Sequence, residues 1–221
     1  MKDALGSSAG RSGASFWKVP ALLAVCFGTL WGCSILEPQP NFSRFFILTP
    51  IKAESTGMAS AAGLSVGLGP IHFPDYLKRT QVVTRTGPNS VHVSERDEWA
   101  APLDASFRQV MAINLSRLLN TEKIVPFPWY SSTHIDYQVE MYVDRFDADT
   151  AGTAHLAVRW AVRDALGHTV VSRSSDLTAQ AADASSAAGA NALSQLLGRF
   201  SQEIAGVIGQ VYVGLRQRGR S

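Results

Sequence analysis

The chain has 221 residues, 46% of them hydrophobic and 17% charged, with a formal net charge of +2. That is enough for one domain with a sizeable core. The near-neutral balance argues against nucleic acid, whose binding usually needs a strongly basic face. The first informative stretch is Val19 to Cys33, a short apolar run preceded by Lys18, Arg11 and Lys2. A transmembrane helix needs about 20 apolar residues, and Pro20 and Gly28 interrupt this run. A basic lead, a short apolar stretch and a small residue near its end describe a secretory signal peptide.

Leu30-Trp31-Gly32-Cys33 resembles the lipobox of bacterial lipoproteins, in which the cysteine becomes the acylated first residue of the mature chain. Residues 1–32 are then the signal peptide, and Cys33 carries covalent diacylglycerol and an N-acyl chain. No other cofactor is expected. Cys26, after Leu23-Ala24-Val25, is the alternative, but Val25 is a poor residue before a cleavage site. Cys26 and Cys33 are the two cysteines of the chain, so the domain beyond has no internal disulfide. Cleavage before Cys33 leaves equal numbers of acidic and basic side chains. Residues 33–41, with Pro38 and Pro40, read as an acylated, extended tether. By analogy with enteric lipoproteins, Ser34 after the cysteine directs transfer to the outer membrane, where Asp would retain the protein at the inner one.

A single domain is expected over 42–215. Phe42 to Thr49 alternates as a strand ended by Pro50, and the Ala/Gly/Ser-rich stretch 52–63 is a loop. Leu64 to Ile71 is a second strand, whose Pro70 suggests its end or an edge position. Arg79–Thr86 and Asn89–Glu95 form a hairpin across Gly87-Pro88. Asp104 is the expected N-cap of a helix carrying Phe107, Val110, Met111, Leu115 and Leu118, closed by Asn120. A short apolar piece follows at 124–127. Ile135–Val143, Ala154–Val162 and Thr169–Leu177 alternate apolar and polar residues, as an antiparallel meander with one wet face does.

After an Ala/Ser-rich lead at 184–192, Leu193, Leu196, Leu197, Phe200, Ile204, Val207, Ile208, Val211 and Leu215 make one apolar stripe. The expected fold is α+β: a mostly antiparallel sheet packed against two helices, one of them long, amphipathic and C-terminal. Residues 216–221, Arg-Gln-Arg-Gly-Arg-Ser, read as a basic disordered tail.

Catalytic signals are weak. Gly63-Leu-Ser-Val-Gly67 spells G-x-S-x-G, but a nucleophile elbow requires a strand before it and a helix after it, and here a loop comes before and a strand after. The histidines at 72, 92, 134, 155 and 168 show no metal-binding spacing. Asp144, Asp147 and Asp149 lack the glycine and distal glutamate of a calcium loop. A phosphate-binding glycine loop with lysine is missing, so the chain does not itself hydrolyse ATP, and no enzymatic activity is expected.

What remains is aromatic. Gly69-Pro-Ile-His-Phe-Pro-Asp-Tyr-Leu-Lys-Arg79 is followed by Trp99-Ala-Ala-Pro-Leu103 and by Pro126-Phe-Pro-Trp-Tyr130. The G-P-x-x-x-P-x-Y-L-x-R string with its downstream W-x-x-P-L resembles the PqiC-like (YmbA-like) ABC-type transport auxiliary lipoproteins. The likeness runs from Phe45 to the C-terminal helix, with Trp31 and Ala100-Ala101 as departures.

The resemblance implies a lipoprotein on the periplasmic face of the outer membrane. It would dock or tether an MCE-domain protein that reaches from the inner-membrane components of an ABC-type lipid transport system. Phe73, Pro74, Tyr76, Leu77, Arg79 and Trp99 are the candidates for partner contact or for packing over the sheet ends. A homo-oligomer is compatible with this reading. The other function considered is a carrier that holds a lipid between sheet and helix.

Overall fold

A computed structural model describes residues 42–52 and 63–218, with side chains up to 214. The signal peptide, Cys33, the tether and most of the 52–63 loop lie outside the described residues. Eight strands form one sheet: β1 (Arg44–Phe46), β2 (Val66–His72), β3 (Gln81–Gly87), β4 (Ser90–Trp99), β5 (Ile124–Pro126), β6 (Tyr137–Asp149), β7 (Thr153–Asp164) and β8 (Thr169–Gln180). Two helices, α1 (Leu103–Leu119) and α2 (Ser186–Arg218), complete the fold. The architecture is the expected α+β, and the long β6–β7–β8 meander is antiparallel throughout.

β7 occupies one edge of β6 along nearly its full length. The opposite edge is shared. β2 runs parallel to its first half, pairing Val66 with Tyr137 and His72 with Tyr142, and β3 runs parallel to its end, pairing Thr84 with Ala148 and Arg85 with Asp149. β2 and β3 are thus consecutive pieces along one edge, separated by Phe73–Thr80. β5 extends the sheet beyond β2, and β4 then β1 extend it beyond β3. These parallel pairings are absent from the sequence expectation, because alternation reports which face a side chain takes and not its strand's neighbour.

Two local expectations are corrected. Pro70 does not end β2, which runs to His72: the pairing with β5 stops at Leu68, and the pairing with β6 continues past Pro70 with a register shift between Leu68 and Ile71. The irregularity accommodates the missing N–H of proline. Asp104 is not the N-cap of α1. The helix begins at Leu103 with Pro102 in the cap position, and Asp104 sits in the first turn, 3.7 Å from Arg108. There its charge favours the helix N-terminus. Asn120 does close the helix, in the left-handed conformation at φ 50°. This is a conformation that asparagine tolerates better than most residues.

β6 carries the largest departure from simple alternation. Tyr137, Val139, Met141 and Val143 are buried, then a register shift between Val143 and Arg145 changes the parity, so that Phe146 enters the core. This bulge explains why the pattern fades after Val143 although the strand continues to Asp149. On the core side, α2 covers β6, β7 and β8 and packs on α1. Leu193, Leu196, Leu197, Phe200, Ile204, Val207 and Ile208 are all buried. α2 is longer than the stripe suggested. It starts in the Ala/Ser-rich lead and runs to Arg218, so residues 216–218 continue the helix instead of forming a tail. No helix among the described residues is long and apolar enough to cross a membrane.

The edge strand β1 is pinned by charge. Arg44 Nε and Nη2 donate to Asp97 Oδ1 and Oδ2 at 2.7 and 2.8 Å, and Ser186 Oγ donates to the same carboxylate at 2.5 Å. The hydrogen bonds from Arg44 are the main cause that holds Asp97 below its ordinary carboxylate value, with Ser186 adding to them and burial opposing. The unfolded chain therefore binds this proton more readily. The stabilisation is complete above the unfolded value of about 3.9 and is lost as pH falls through it toward the lower folded value. Thermal melts of wild type and Arg44→Ala should differ near neutral pH, and the difference should shrink as pH falls below the ordinary carboxylate range. A difference independent of pH would mean that Arg44 acts through packing alone.

Candidate functional site

The segment between β2 and β3 carries the sequence motif, and the structure divides it between two faces. Phe73 is buried against Phe107 and Phe146, with ring centroids 5.0 and 6.4 Å away and near-perpendicular planes. Asp75–Leu77 form one 3-10 turn after Pro74, closed by the Leu77 N–H to the Pro74 carbonyl at 3.0 Å. Leu77 is 2% exposed and Trp99 4%. Phe73, Leu77 and Trp99 are therefore core residues. Of the two roles expected for them, packing is the one their placement supports, because a partner cannot reach side chains already covered by the domain. Trp99 also ties the wing strands together: its N–H donates to the Thr80 carbonyl, and the next N–H, of Ala100, donates to the Phe46 carbonyl.

Tyr76 points the other way, into a polar cluster. Its hydroxyl donates to Asp147 Oδ2 at 3.0 Å, and Arg85 Nη2 donates to both the Tyr76 oxygen (3.2 Å) and Asp147 Oδ2 (3.1 Å). Arg145 Nε donates to Asp147 Oδ1 at 2.8 Å. The Asp147 side chain is fully buried, while the two arginines keep about a quarter of theirs exposed. Burial, then the nearby Asp147 charge, raises the Tyr76 pKa, so the phenol remains a neutral donor. Asp147 was visible in the sequence only as one of three aspartates at a strand end. Its partners come from β3 and the 3-10 turn, and nothing in local spacing marks them.

The solvent face of β2, β6 and β7 beside this segment carries a continuous ladder. His72 stacks on Tyr142 at 4.4 Å, and the Arg159 guanidinium lies over the Tyr142 ring, 5.5 Å from its centroid. Arg159 Nε and Nη2 donate to the two Asp144 oxygens at 2.9 Å each, and Arg163 Nη2 donates to Glu140 at 3.0 Å. A groove of about 320 Å³ is lined here by His72, Phe73, Pro74, Tyr142, Asp144 and Arg159. Pro74 is half-buried at its rim, and Lys78 and Arg79 are exposed. Lys78 pairs with Asp75 at 2.8 Å, whereas Arg79 makes no ion pair with the described residues. His72, Tyr142 and Arg159 are not legible as a group in the sequence. Each alternates correctly onto a wet face, but their adjacency depends on the β2–β6–β7 register.

The remaining sequence candidates resolve into scaffold. The N–H of Ser65 donates to Asp136 Oδ2 and its hydroxyl to the His134 carbonyl, both at 2.8 Å. The His134 ring faces Asp136 instead, at 2.9 Å. Ser, His and Asp thus meet, but the serine proton is held by a backbone carbonyl, and the group clamps the start of β6 to the start of β2. The 126–130 loop lies over β2: a Cβ at Gly67 would stand 2.8 Å from Trp129, and one at Gly69 (φ +122°) would stand 2.8 Å from Phe127. Only glycine permits this close approach. No group of acidic, histidine and cysteine side chains among the described residues could hold a metal ion. Between sheet and helices, a cavity of about 30 Å³ is lined by Leu77, Trp99, Phe146 and Leu193 among others. That is room for about one water, whereas small-molecule pockets occupy roughly 300–1,000 Å³.

The fold is a large sheet backed by two helices, with one exposed polar and aromatic face. The chain belongs to the ABC-type transport auxiliary lipoprotein component family, whose model matches residues 46–205. Membership implies a membrane-anchored auxiliary to transport and not a known enzyme family. Solved structures share the fold, and two of them cover three quarters or more of this chain. Protein XCC0632 from Xanthomonas campestris, a DUF330 protein, is 15% identical with a TM-score of 0.65, over 80% of this chain and all of that one. An uncharacterized protein is 19% identical with a TM-score of 0.62, over 75% of this chain and 98% of that one. No curated protein matches.

Proposed function

We propose that this protein is the outer-membrane docking subunit of an MCE/ABC-type intermembrane lipid transport system, held on the periplasmic face by acyl chains on Cys33. The observation that carries the docking role is the placement of the motif. Its apolar residues are consumed by the core, while Pro74 and the neighbouring His72–Tyr142–Arg159 ladder stay accessible along one groove, and Arg79 is exposed a few residues beyond it. Aromatic and arginine side chains on rigid strands favour protein contact at low entropic cost. The partner is the MCE-domain protein, and the tether raises the local concentration of this face for it. The role requires no catalysis. The small cavity between sheet and helices supports docking over carriage, since a lipid there would have to displace α2.

Arg79→Glu combined with Tyr142→Ala should abolish co-purification of the MCE-domain partner and leave the melting transition within a few degrees of wild type, because both side chains are solvent-exposed. Undiminished co-purification would place the interface elsewhere.

A further inference from the structure

We infer that β1 and its flanks form a second contact with the bilayer: Phe42, Phe45 and Ile47 insert into the lipid surface to which the domain is tethered. The inference rests on the acylation of Cys33 proposed above. Three large apolar side chains within six consecutive positions are 71%, 62% and 63% exposed. Phe45 and Ile47 share a face by strand alternation, opposite to Phe46 and Leu48, which are half-buried and buried.

β1 is also an edge strand, paired with β4 on one side and with no strand on the other among the described residues. An uncovered aromatic edge is an association hazard that proteins usually blunt with charge or proline. Here the one cation of the strand, Arg44, is neutralised by Asp97.

Chain length identifies the cover. Eight residues separate Cys33 from Phe42. Fully extended, this stretch reaches about 30 Å, and less in any folded form. The apolar patch is therefore the part of the domain that enters directly from the anchor. Phenylalanine and isoleucine side chains at a membrane surface bury their area among headgroups and upper acyl chains. Beside them, Glu98 is in register with Phe45 and accepts a hydrogen bond from Ser43 at 3.2 Å. This local charge gives anionic lipid no attraction, so the contact is apolar and insensitive to salt.

The test uses the acylated protein in vesicles of phosphatidylethanolamine and phosphatidylglycerol with brominated acyl chains. Phe45→Trp and Phe42→Trp each add a fluorophore within the patch, and Phe42 precedes β1, so its replacement leaves the strand pairing intact. Leu166→Trp is the control. Leu166 is exposed in the β7–β8 turn, at the start of the β6 ladder, whereas β3, β4 and β1 branch from its end. Bromolipid should quench the emission added at positions 42 and 45 at least twofold, equally at low and high salt, and leave that at 166 unchanged.

Vesicle flotation of the protein without quenching at 42 and 45 would overturn the inference while the anchor stands. Failure to float would remove the anchor and the inference together. Unquenched emission at 45, with Phe45→Ser converting an oligomer to a smaller species, would assign the patch to a second copy of the chain and equally overturn it.

Discussion

Cys33→Ala should abolish fatty-acid labelling and move the protein out of the membrane fraction, an all-or-none change where Cys26→Ala has no effect. The magnitude follows from the number of acyl chains. Each buried methylene contributes about 0.8 kcal/mol, and one chain alone holds a protein only reversibly, so stable attachment needs the several chains that a lipoprotein cysteine carries. The described part of the domain offers no substitute, since none of its helices can span the bilayer, and an apolar edge of three side chains gives at most a weak supplementary contact. Metabolic labelling with a fatty-acid probe and fractionation of both variants read the result. Label retained in Cys33→Ala and lost in Cys26→Ala would move the anchor to Cys26 and leave seven more residues, several of them apolar, ahead of the tether.

The second large effect is expected at Asp147. Its carboxylate accepts from Arg85, Arg145 and Tyr76 at the seam where β3 meets β6. That seam is short, with register pairs only at Thr84–Ala148 and Arg85–Asp149. Removing one partner of a buried ionic cluster costs about 3–5 kcal/mol. The arginines retain partial access to water, which places Asp147→Ala near the lower end, at roughly 3 kcal/mol. Against a total of about 5–15 kcal/mol for a domain, this is a large fraction. Tyr76→Phe removes a single hydrogen bond and should cost only about 1 kcal/mol.

Location distinguishes the seam from a general loss of stability. Hydrogen exchange in Asp147→Ala should accelerate most in β3 and β4, whose connection to β6 passes through this cluster. It should accelerate least in β7 and β8, which are held by a continuous ladder and by α2. Uniform acceleration would show that Asp147 supports the core as a whole. A change below about 1 kcal/mol would show that the two arginines are adequately solvated without it.

Much of the fold was legible because its elements obey single periodicities. The meander strands alternate, and the α2 stripe repeats in steps of three and four, so the buried sets follow directly. Legibility failed where two requirements compete for one residue. Pro70 reads as a strand end, but the register shift in β2 absorbs it. Trp99, Phe73 and Leu77 read as candidates either for partner contact or for packing over the sheet ends, because they occur among prolines and polar residues. They are buried because their segment crosses the sheet edge next to α1 and the Phe107–Phe146 pair.

The candidate site was half visible for the same reason. The motif identified the right segment, and Arg79 and Pro74 remain accessible within it. The ladder that completes the surface joins residues from β2, β6 and β7, up to 87 positions apart in the chain from His72 to Arg159. Side chains so distant carry no common spacing, and only strand register makes them neighbours.

The amino-acid sequence by itself determined the α+β class, a domain without cysteine beyond residue 33, and the family. Each is encoded locally, in a short string or in one period. The tertiary structure decided which motif residues face solvent, that β2 and β3 share one edge of β6, and that Asp147 joins the two wings of the sheet. These depend on parallel pairing between distant strands, and a pattern of burial along one strand carries no information about which strand lies beside it.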